Sequence, residues 1–405
     1  MSEQLRSIEE QLARNAEYYG TVDTANITLS CFAKAALVAL RSSEGQGFRD
    51  TVDYMIELRP ELKGPTAVKL LERAYQTDLL EHDVSYPYGY QDEAPWLKTF
   101  SSVNVHDDFL RWGLLANNAA LRNVQSCVDE RYKTIKLFTS LVANRFDAPP
   151  TLLDVGSSVL HGDLKLVYES DPSSPVRPFQ PIEILNDKHE KAKDERLTKL
   201  ANVALSQQIQ FGHVMGVDIT DIDDVGTRRW ARGCRFYPDE LFQPDVVEDY
   251  DLLESTDPDH SRVSFLKGDF ATMTRNEVVA ASPVSTWDII AFSTVFFQVS
   301  SSERIAMLLN ALNLLSDNGL IIIQDAREVI VGMEDDVEGN FSIPFNYATS
   351  IIDAQRASDD YEEPVIAWEN GRCQRAVFEP KGRIRVNGGD VPIDEALEMR
   401  FGNAV

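Results

Sequence analysis

Three aspartates each stand at the end of an apolar run in this chain. Asp154 follows Thr151-Leu152-Leu153, Asp218 follows His213-Val214-Met215-Gly216-Val217, and Asp269 comes three residues after the end of Val263-Ser264-Phe265-Leu266. A short apolar run that stops at an acid is how a strand buried on both faces reads when it ends at a ligand. A carboxylate at one such end can accept both hydroxyl protons of a ribose. An acid at the next can accept the exocyclic amine of an adenine. The Gly156-Ser157 turn behind Asp154 lets backbone approach a ligand closely. Asp154 itself can sit near a cationic amino group, directly or through water. A single Asp-x-Gly triplet is more often an ordinary turn; it is the ordered series of three acids that describes a site.

The elements that must position these acids alternate between strand and helix from residue 149 to about 330, which implies a parallel sheet with helices on its faces. The strands are expected at Thr151 to Val155, His213 to Val217, Val263 to Leu266, Trp287 to Phe292 and Leu320 to Asp325. A helix is expected from Ser302, as N-cap, to Leu315, ended by Asp317-Asn318-Gly319. An insertion at about 169–200 begins polar and Pro-rich and continues as a charged helical stretch, Asn186 to Gln210. It either caps a substrate pocket or decorates the surface. Asp224 to Arg232 is a further helix, and residues 236–260 read as an irregular excursion.

Residues 1–148 form a helical N-terminal region, suited to a lid, a substrate-binding part or dimerisation. Ile27 to Leu40 is Ala-rich and apolar enough for a buried helix, and Phe48 to Leu58 and Ala67 to Leu80 follow as helices. A Tyr- and Pro-rich loop ends near Pro95-Trp96. Helices are expected again at Phe109 to Leu121 and Val124 to Phe146, closed by Asp147-Ala148-Pro149-Pro150. In the second of these, Val124, Val128, Ile135, Phe138 and Val142 share a face. Residues 331–405 complete the sheet with strand-like segments joined at Asn370-Gly371, a hairpin signal.

Composition narrows the function. The 405 residues carry a formal net charge of -26, and a protein that grips DNA or RNA needs a basic face. The one dense basic cluster, Arg228-Arg229-Trp230-Ala231-Arg232 with Arg235, reads more simply as a solvated helix face. An anionic membrane surface is disfavoured for the same reason. No apolar run approaches the ~20 residues that span a bilayer. The polar, acidic N-terminus is no signal peptide, so a cytoplasmic location is expected. The four cysteines form no CxxC pair, which argues against a zinc site or a disulfide framework. No metal is expected. A small-molecule substrate is, and a homodimer is left open.

Residues Thr151 to Asp325 resemble the class I S-adenosylmethionine-dependent methyltransferases. Leu153-Asp154-Val155-Gly156-Ser157 resembles their first motif, Gly216-Val217-Asp218-Ile219-Thr220 the strand end that holds ribose hydroxyls, and Lys267-Gly268-Asp269-Phe270 the loop that reads adenine. Trp287 to Ser293, followed by Val295-Phe296-Phe297-Gln298, resembles the fourth motif. The resemblance implies an α/β fold with a Rossmann-like seven-stranded sheet, its antiparallel strand supplied by the Asn370-Gly371 hairpin. It also implies S-adenosylmethionine as cofactor, bound by Asp154, Gly156, Ser157, Asp218, Ile219, Asp269, Phe270 and Ser293. Two features depart from the pattern. Ser158 and Leu160 stand where small residues or glycines are common, and 64 positions separate Asp154 from Asp218, against a usual separation of about 20. A nicotinamide-binding domain would need GxGxxG with its acid about 20 residues on, and neither is present.

Methyl transfer to a small-molecule acceptor, with oxygen as the atom, is the expected activity. Ser293-Thr294-Val295-Phe296 stands where enzymes that methylate bases and amides carry Asn/Asp-Pro-Pro-Tyr/Phe. The alternative is a protein that keeps this fold without methyl transfer. His106 and His161 are the candidate bases, although a surface or structural histidine is the plainer use of each. Tyr19, Gln298, Asp325 and Arg327 are the candidate substrate residues. For Asp325 and Arg327, surface salt bridging is an equal alternative. Tyr18, Tyr86, Tyr88 and Tyr90 could also line a pocket or close over a sulfonium, with core or loop packing the simpler role.

Overall fold

The computed structural model describes residues 2–405 apart from 21–25, 61, 63, 103–128, 170, 172, 187–191, 257, 331–346, 356–364, 371 and 372. The chain divides into two compact units: residues 1–127 with 222–250, and residues 128–221 with 251–405. Residues 129–148 therefore belong to the second unit, and residues 222–250 contribute to the first.

The first unit is helical. Its helices span Glu3–Tyr18, Ile27–Arg41, Gln46–Leu58, Gly64–His82, Glu93–Ser102 and Val225–Arg235. The last is capped by Asp224, whose carboxylate accepts from the Thr227 N–H at 2.7 Å. Glu93–Ser102 corrects the expectation of a loop ending near Pro95-Trp96: Pro95 lies in the first turn, where a missing N–H breaks no helical bond. An aromatic cluster fills the centre. The Phe32 ring meets Trp96 edge-on at 4.9 Å, and Phe100 lies 4.5 Å from Phe48 and 5.1 Å from Tyr75. Buried polar groups clamp residues 233–236 to the helix Gly64–His82. Gln76 Nε2 donates to the carbonyls of Gly233 and Phe236, both at 2.7 Å. A Cβ on Gly233 would fall 1.9 Å from Thr77 Oγ1, so this close approach requires glycine.

The second unit is built on a nine-stranded sheet in the order β2-β9-β8-β7-β6-β5-β1-β3-β4. In chain order these are β1 Thr151–Val155, β2 Glu183–Ile184, β3 His213–Asp218, β4 Val263–Lys267, β5 Trp287–Ser293, β6 Leu315–Ala326, β7 Tyr347–Asp353, β8 Val365–Glu369 and β9 Arg375–Phe378. A separate two-stranded sheet pairs β10 Arg383–Val386 with β11 Gly389–Pro392. β4, β3, β1, β5 and β6 run parallel. Their central members are apolar throughout because both faces are covered. The helix Ser301–Leu314 is capped by Ser300, not Ser302. Ser300 and Glu303 form a reciprocal capping box, with Ser300 N–H donating to Glu303 Oε2 at 2.7 Å. β6 begins at Leu315, which pairs with Trp287, so the expected Asp317-Asn318-Gly319 turn lies inside an irregular strand start.

The sheet has nine strands where seven are expected, and its antiparallel half differs from the expectation. β7 lies antiparallel beside β6, so the strand expected from the Asn370-Gly371 hairpin comes earlier, from Tyr347–Asp353. The hairpin segment instead supplies β8 and β9, which pair with each other; Gly371 lies outside the described residues. Part of the insertion joins the sheet. Glu183 and Ile184 pair with Arg375 and Ala376 of β9 at the sheet edge. Its helical part is shorter than expected, Glu195–Leu205, capped by Asp194. Among the described residues no helix is long and apolar enough to cross a membrane.

Phe32→Ala removes a side chain that is 1% exposed from the centre of the aromatic cluster. It is expected to lower the stability of the helical unit by about 3 to 5 kcal/mol, read as a shift in the urea midpoint with an unchanged slope.

Candidate functional site

The carboxyl ends of β4, β3 and β1 are neighbours, so Asp269, Asp218 and Asp154 are brought to one edge of the sheet. Backbone bonds tie the three ends together. Gly156 N–H donates to the Val217 carbonyl at 2.7 Å, and Gly268 N–H to the Asp218 carbonyl at 2.8 Å. The loop after β1 then makes an unusual excursion. Gly156, Ser158 and Leu160 have φ of 83°, 53° and 65°. Two non-glycine residues thus adopt the left-handed conformation that glycine takes freely. A Cβ on Gly216 would lie 2.3 Å from Leu160 Cδ2 and 2.4 Å from Ser157 Oγ. The glycine that permits close packing here stands on β3, not in the loop.

Asp218 organises this loop. Its Oδ2 accepts from the Ser158 N–H at 2.9 Å, and its Oδ1 accepts from the Thr220 N–H at 2.8 Å and the Thr220 hydroxyl at 2.7 Å. Burial raises its pKa, and the hydrogen bonds from Thr220, Ser158 and Ile219 oppose that rise. Ile219 next to it is 55% exposed, an apolar surface at the strand end. Asp269 Oδ1 accepts from the Ala271 N–H at 2.9 Å. Phe270 is turned into the core against Phe292, with ring centroids 6.0 Å apart.

Asp154 differs from its expected role. It is 0% exposed and accepts a hydrogen bond from the Tyr132 hydroxyl, so its carboxylate is closed off from a ligand. Its neighbour is Asp163, also 0% exposed, from the helix His161–Tyr168. Among the described residues, no N–H of another residue reaches either oxygen of Asp163, and its side-chain hydrogen-bond partner is the Asp154 carboxyl. Two buried carboxyls in contact cannot both ionise readily. Burial, with the Asp218 charge adding to it, pushes Asp154 up to about 7, while Tyr132 works against the rise. Burial and the Asp154 charge raise Asp163 well above the carboxylate range. Ser157 Oγ, 3% exposed, also lacks a hydrogen-bond partner among the described residues.

The remaining expected site residues are placed as follows. Ser293 donates to Gln324 Oε1 at 3.2 Å, inside a buried network in which Glu369 accepts from Thr134, Gln324 and Thr349. Asp325 is fully buried and its carboxylate accepts the Phe296, Phe297 and Ala326 N–H groups. Burial lifts it to about 6 against those bonds. It holds the loop after β5, where Thr294 has a φ of 61°, rather than standing in a surface salt bridge. Gln298 is exposed and donates to the Thr294 carbonyl at 2.9 Å. The Arg327 guanidinium lies 5.9 Å from the centre of the Trp368 ring. His161 is buried with Nε2 2.9 Å from Glu254. His106 lies outside the described residues. Tyr19 belongs to the helical unit, where it lies near Glu72, Arg73 and Tyr237 and where burial raises its phenol pKa.

Three contributors went unnoticed in the sequence: Tyr132, Asp163 and Arg131. Arg131 donates to the Tyr347 hydroxyl at 2.9 Å and stacks over that ring at 4.3 Å. Tyr132 had a signal, since it lies three residues before Ile135 on the same helix. Gly162, where a Cβ would fall 2.1 Å from the Tyr132 ring, lets the two helices meet. Asp163 had none, because an acid in the first turn of a helix is ordinary.

No protein-family model and no curated protein sequence matches the chain. Solved structures similar to it include three methyltransferases. One, from Listeria monocytogenes, is described as a class I S-adenosylmethionine-dependent methyltransferase; it is 9% identical, with 82% of this chain and 90% of that one covered, at a TM-score of 0.30. Another, described as an O-methyltransferase from Nostoc punctiforme, is 13% identical over 80% and 83% of the two chains at 0.27. The plantazolicin methyltransferase, solved with a triazolic desmethylPZN analog and SAH, is 13% identical over 65% and 60% at 0.26; this chain spans less than two thirds of its length. In this chain β4, β3, β1, β5 and β6 form the parallel part of an α/β sheet, with β7 antiparallel beside β6.

Proposed function

We propose that this protein transfers a methyl group from S-adenosylmethionine to a small-molecule acceptor, at an oxygen atom. The observation that supports this best is the loop after β1, which takes the left-handed shape at two non-glycine residues, Ser158 and Leu160. Strain of this kind persists where surrounding structure over-determines it, and it clusters at ligand sites. The donor set suits a nucleoside. Asp218 Oδ2 has taken one N–H and has capacity for a hydroxyl. Asp269 has one oxygen engaged by Ala271, and the exposed Ile219 offers an apolar face to a base. When bound, S-adenosylmethionine supplies an electrophilic methyl group on a sulfonium. This chain's residues bind and orient. Asp218 and Asp269 would hold the ribose and adenine, and Gly156 and Ser157 would let backbone approach. A base is needed only for an acceptor proton of high pKa. His106 and His161 are the candidates for it, the second with Nε2 beside Glu254.

A second reading, the same fold without methyl transfer, is favoured by one feature. Asp154 is sealed behind Tyr132 and paired with Asp163, so it cannot touch a ligand in this conformation. Titration calorimetry separates the two. S-adenosylmethionine and its demethylated product are both expected to bind. Folded protein that binds neither would overturn methyl transfer. Asp218→Ala is expected to weaken binding by about 2 to 4 kcal/mol, roughly thirtyfold to a thousandfold. Unchanged affinity would remove Asp218 from the site.

The acid pair also has a stability signature. A carboxyl whose folded pKa is raised destabilises the fold as pH climbs above its unfolded pKa, and the penalty levels off above the folded value. Asp163→Asn removes that penalty. Its stabilisation relative to wild type is expected to be near zero at pH 4 and to grow to about 1 to 3 kcal/mol at pH 8, measured by urea unfolding at both values.

A further inference from the structure

Asp163 is assigned no role by the methyl-donor site, yet it is buried against the one acid of that site that no ligand can touch. The pair lies at the carboxyl end of β1, directly beneath the strained loop. Its surroundings are specific. Asp154 lies between the Tyr132 hydroxyl, which donates to Oδ2, and Asp163. Asp218, on the crevice side, presses its charge on Asp154. The buried Ser157 hydroxyl sits in the same loop, with no hydrogen-bond partner among the described residues.

Cations on the neighbouring elements have partners of their own. From the turn at 129–131 and the helix Tyr132–Val142, Lys133 pairs with Glu130, Lys136 with Glu169, and Arg131 with the Tyr347 hydroxyl. On the helix that carries Asp163, Lys165 lies 2.8 Å from both Asp129 and Glu130, and His161 pairs with Glu254. On β3 and β4, His213 meets Ser264 and Lys267 meets Asp221. Three carboxyls, those of Asp154, Asp163 and Asp218, therefore gather at one strand end.

We propose that Asp163 is a positioning residue that links a proton to occupation of the methyl-donor site. Before the donor binds, both acids carry a proton; when the donor's α-ammonium enters the crevice beside them, Asp154 releases its proton to solvent and Asp163 keeps its own, donating it to the Asp154 carboxylate. The inference rests on the methyl-donor reading. The physics is the ordinary attraction of a cation for the charged form of a buried acid. Asp154 is pushed up to about 7, so the exchange falls within the physiological range. A ligand that displaces a proton binds more tightly as pH rises through that value and then levels off.

Calorimetry of the full chain at pH 6.0 and 7.5, in buffers of different ionisation enthalpy, counts the protons released. Wild type is expected to bind S-adenosylmethionine about tenfold more tightly at pH 7.5 than at pH 6.0, with close to one proton released at pH 6.0. The demethylated product, which keeps the ammonium, should behave alike. Methylthioadenosine, which lacks it, should bind without proton release. Asp154→Asn should bind with no proton release, and Asp163→Ala, which removes a donor to Asp154, should move the pH profile upward, with Asp163→Asn restoring it. Tyr132→Phe, which removes a donor to Asp154, should move the pH profile upward by about one unit. Binding of S-adenosylmethionine with no proton exchange in wild type, or the wild-type profile retained in Asp163→Ala, overturns this proposal alone. No binding at either pH overturns the methyl-donor reading and the proposal with it.

Discussion

The hydrogen bond from the Ser158 N–H to Asp218 is the constraint on which the site depends. It crosses from the loop after β1 to the end of β3 at 2.9 Å. A left-handed conformation at a non-glycine residue costs roughly 1 to 2 kcal/mol, and this loop contains two such residues. They are held by what lies around them. Asp218 takes the amide, the Val217 carbonyl takes the Gly156 N–H, and Gly216 leaves room for Leu160 and Ser157 to press against the strand. Sequence can vary inside the loop because its shape is set from outside.

Beneath the loop the structure tolerates a second local conflict. Burying carboxyls without a cation is unfavourable, and Asp154 and Asp163 are both fully buried. The conflict is confined to the ends of β1 and β3. Elsewhere in the sheet the buried acids are satisfied: Asp325 by three backbone amides, and Glu369 by two threonine hydroxyls and Gln324. These two carboxylates brace the loop after β5 and the β6–β8 layer.

Legibility in the sequence follows burial. β1, β3, β5 and β6 could be read because a short, nearly unbroken apolar run that stops at a polar residue suits a strand covered on both faces and little else. The helix Ile27–Arg41 could be read because its Ala-rich face is buried almost all round. β7 could not. Tyr347-Ala348-Thr349-Ser350-Ile351-Ile352-Asp353 mixes polar and apolar residues without alternation, since both of its faces are buried and Thr349 and Ser350 lie inward. Its place beside β6 depends on a long-range pairing that no local pattern encodes. The same holds within the site. The acids at strand ends were visible, whereas Asp163 acquires its importance only from packing against Asp154. Asp325 and Ser293 were visible as polar residues at the correct edge, but which way each side chain turns is a property of the folded sheet.

The two-residue strand β2 has a consequence for how the chain is built. It joins Glu183 and Ile184 to Arg375 and Ala376, almost two hundred residues further on. Contacts between such distant segments form late, because a long loop must close first. During synthesis residues 169–200 therefore wait for the end of the chain before reaching their final place. Until the two segments meet, the outer edge of β9 has no partner, and an uncovered edge is a template for pairing with another molecule. So short a strand offers little for a stranger to copy. The insertion between β1 and β3 thus ends as the guard on the last strand of the nine-stranded sheet.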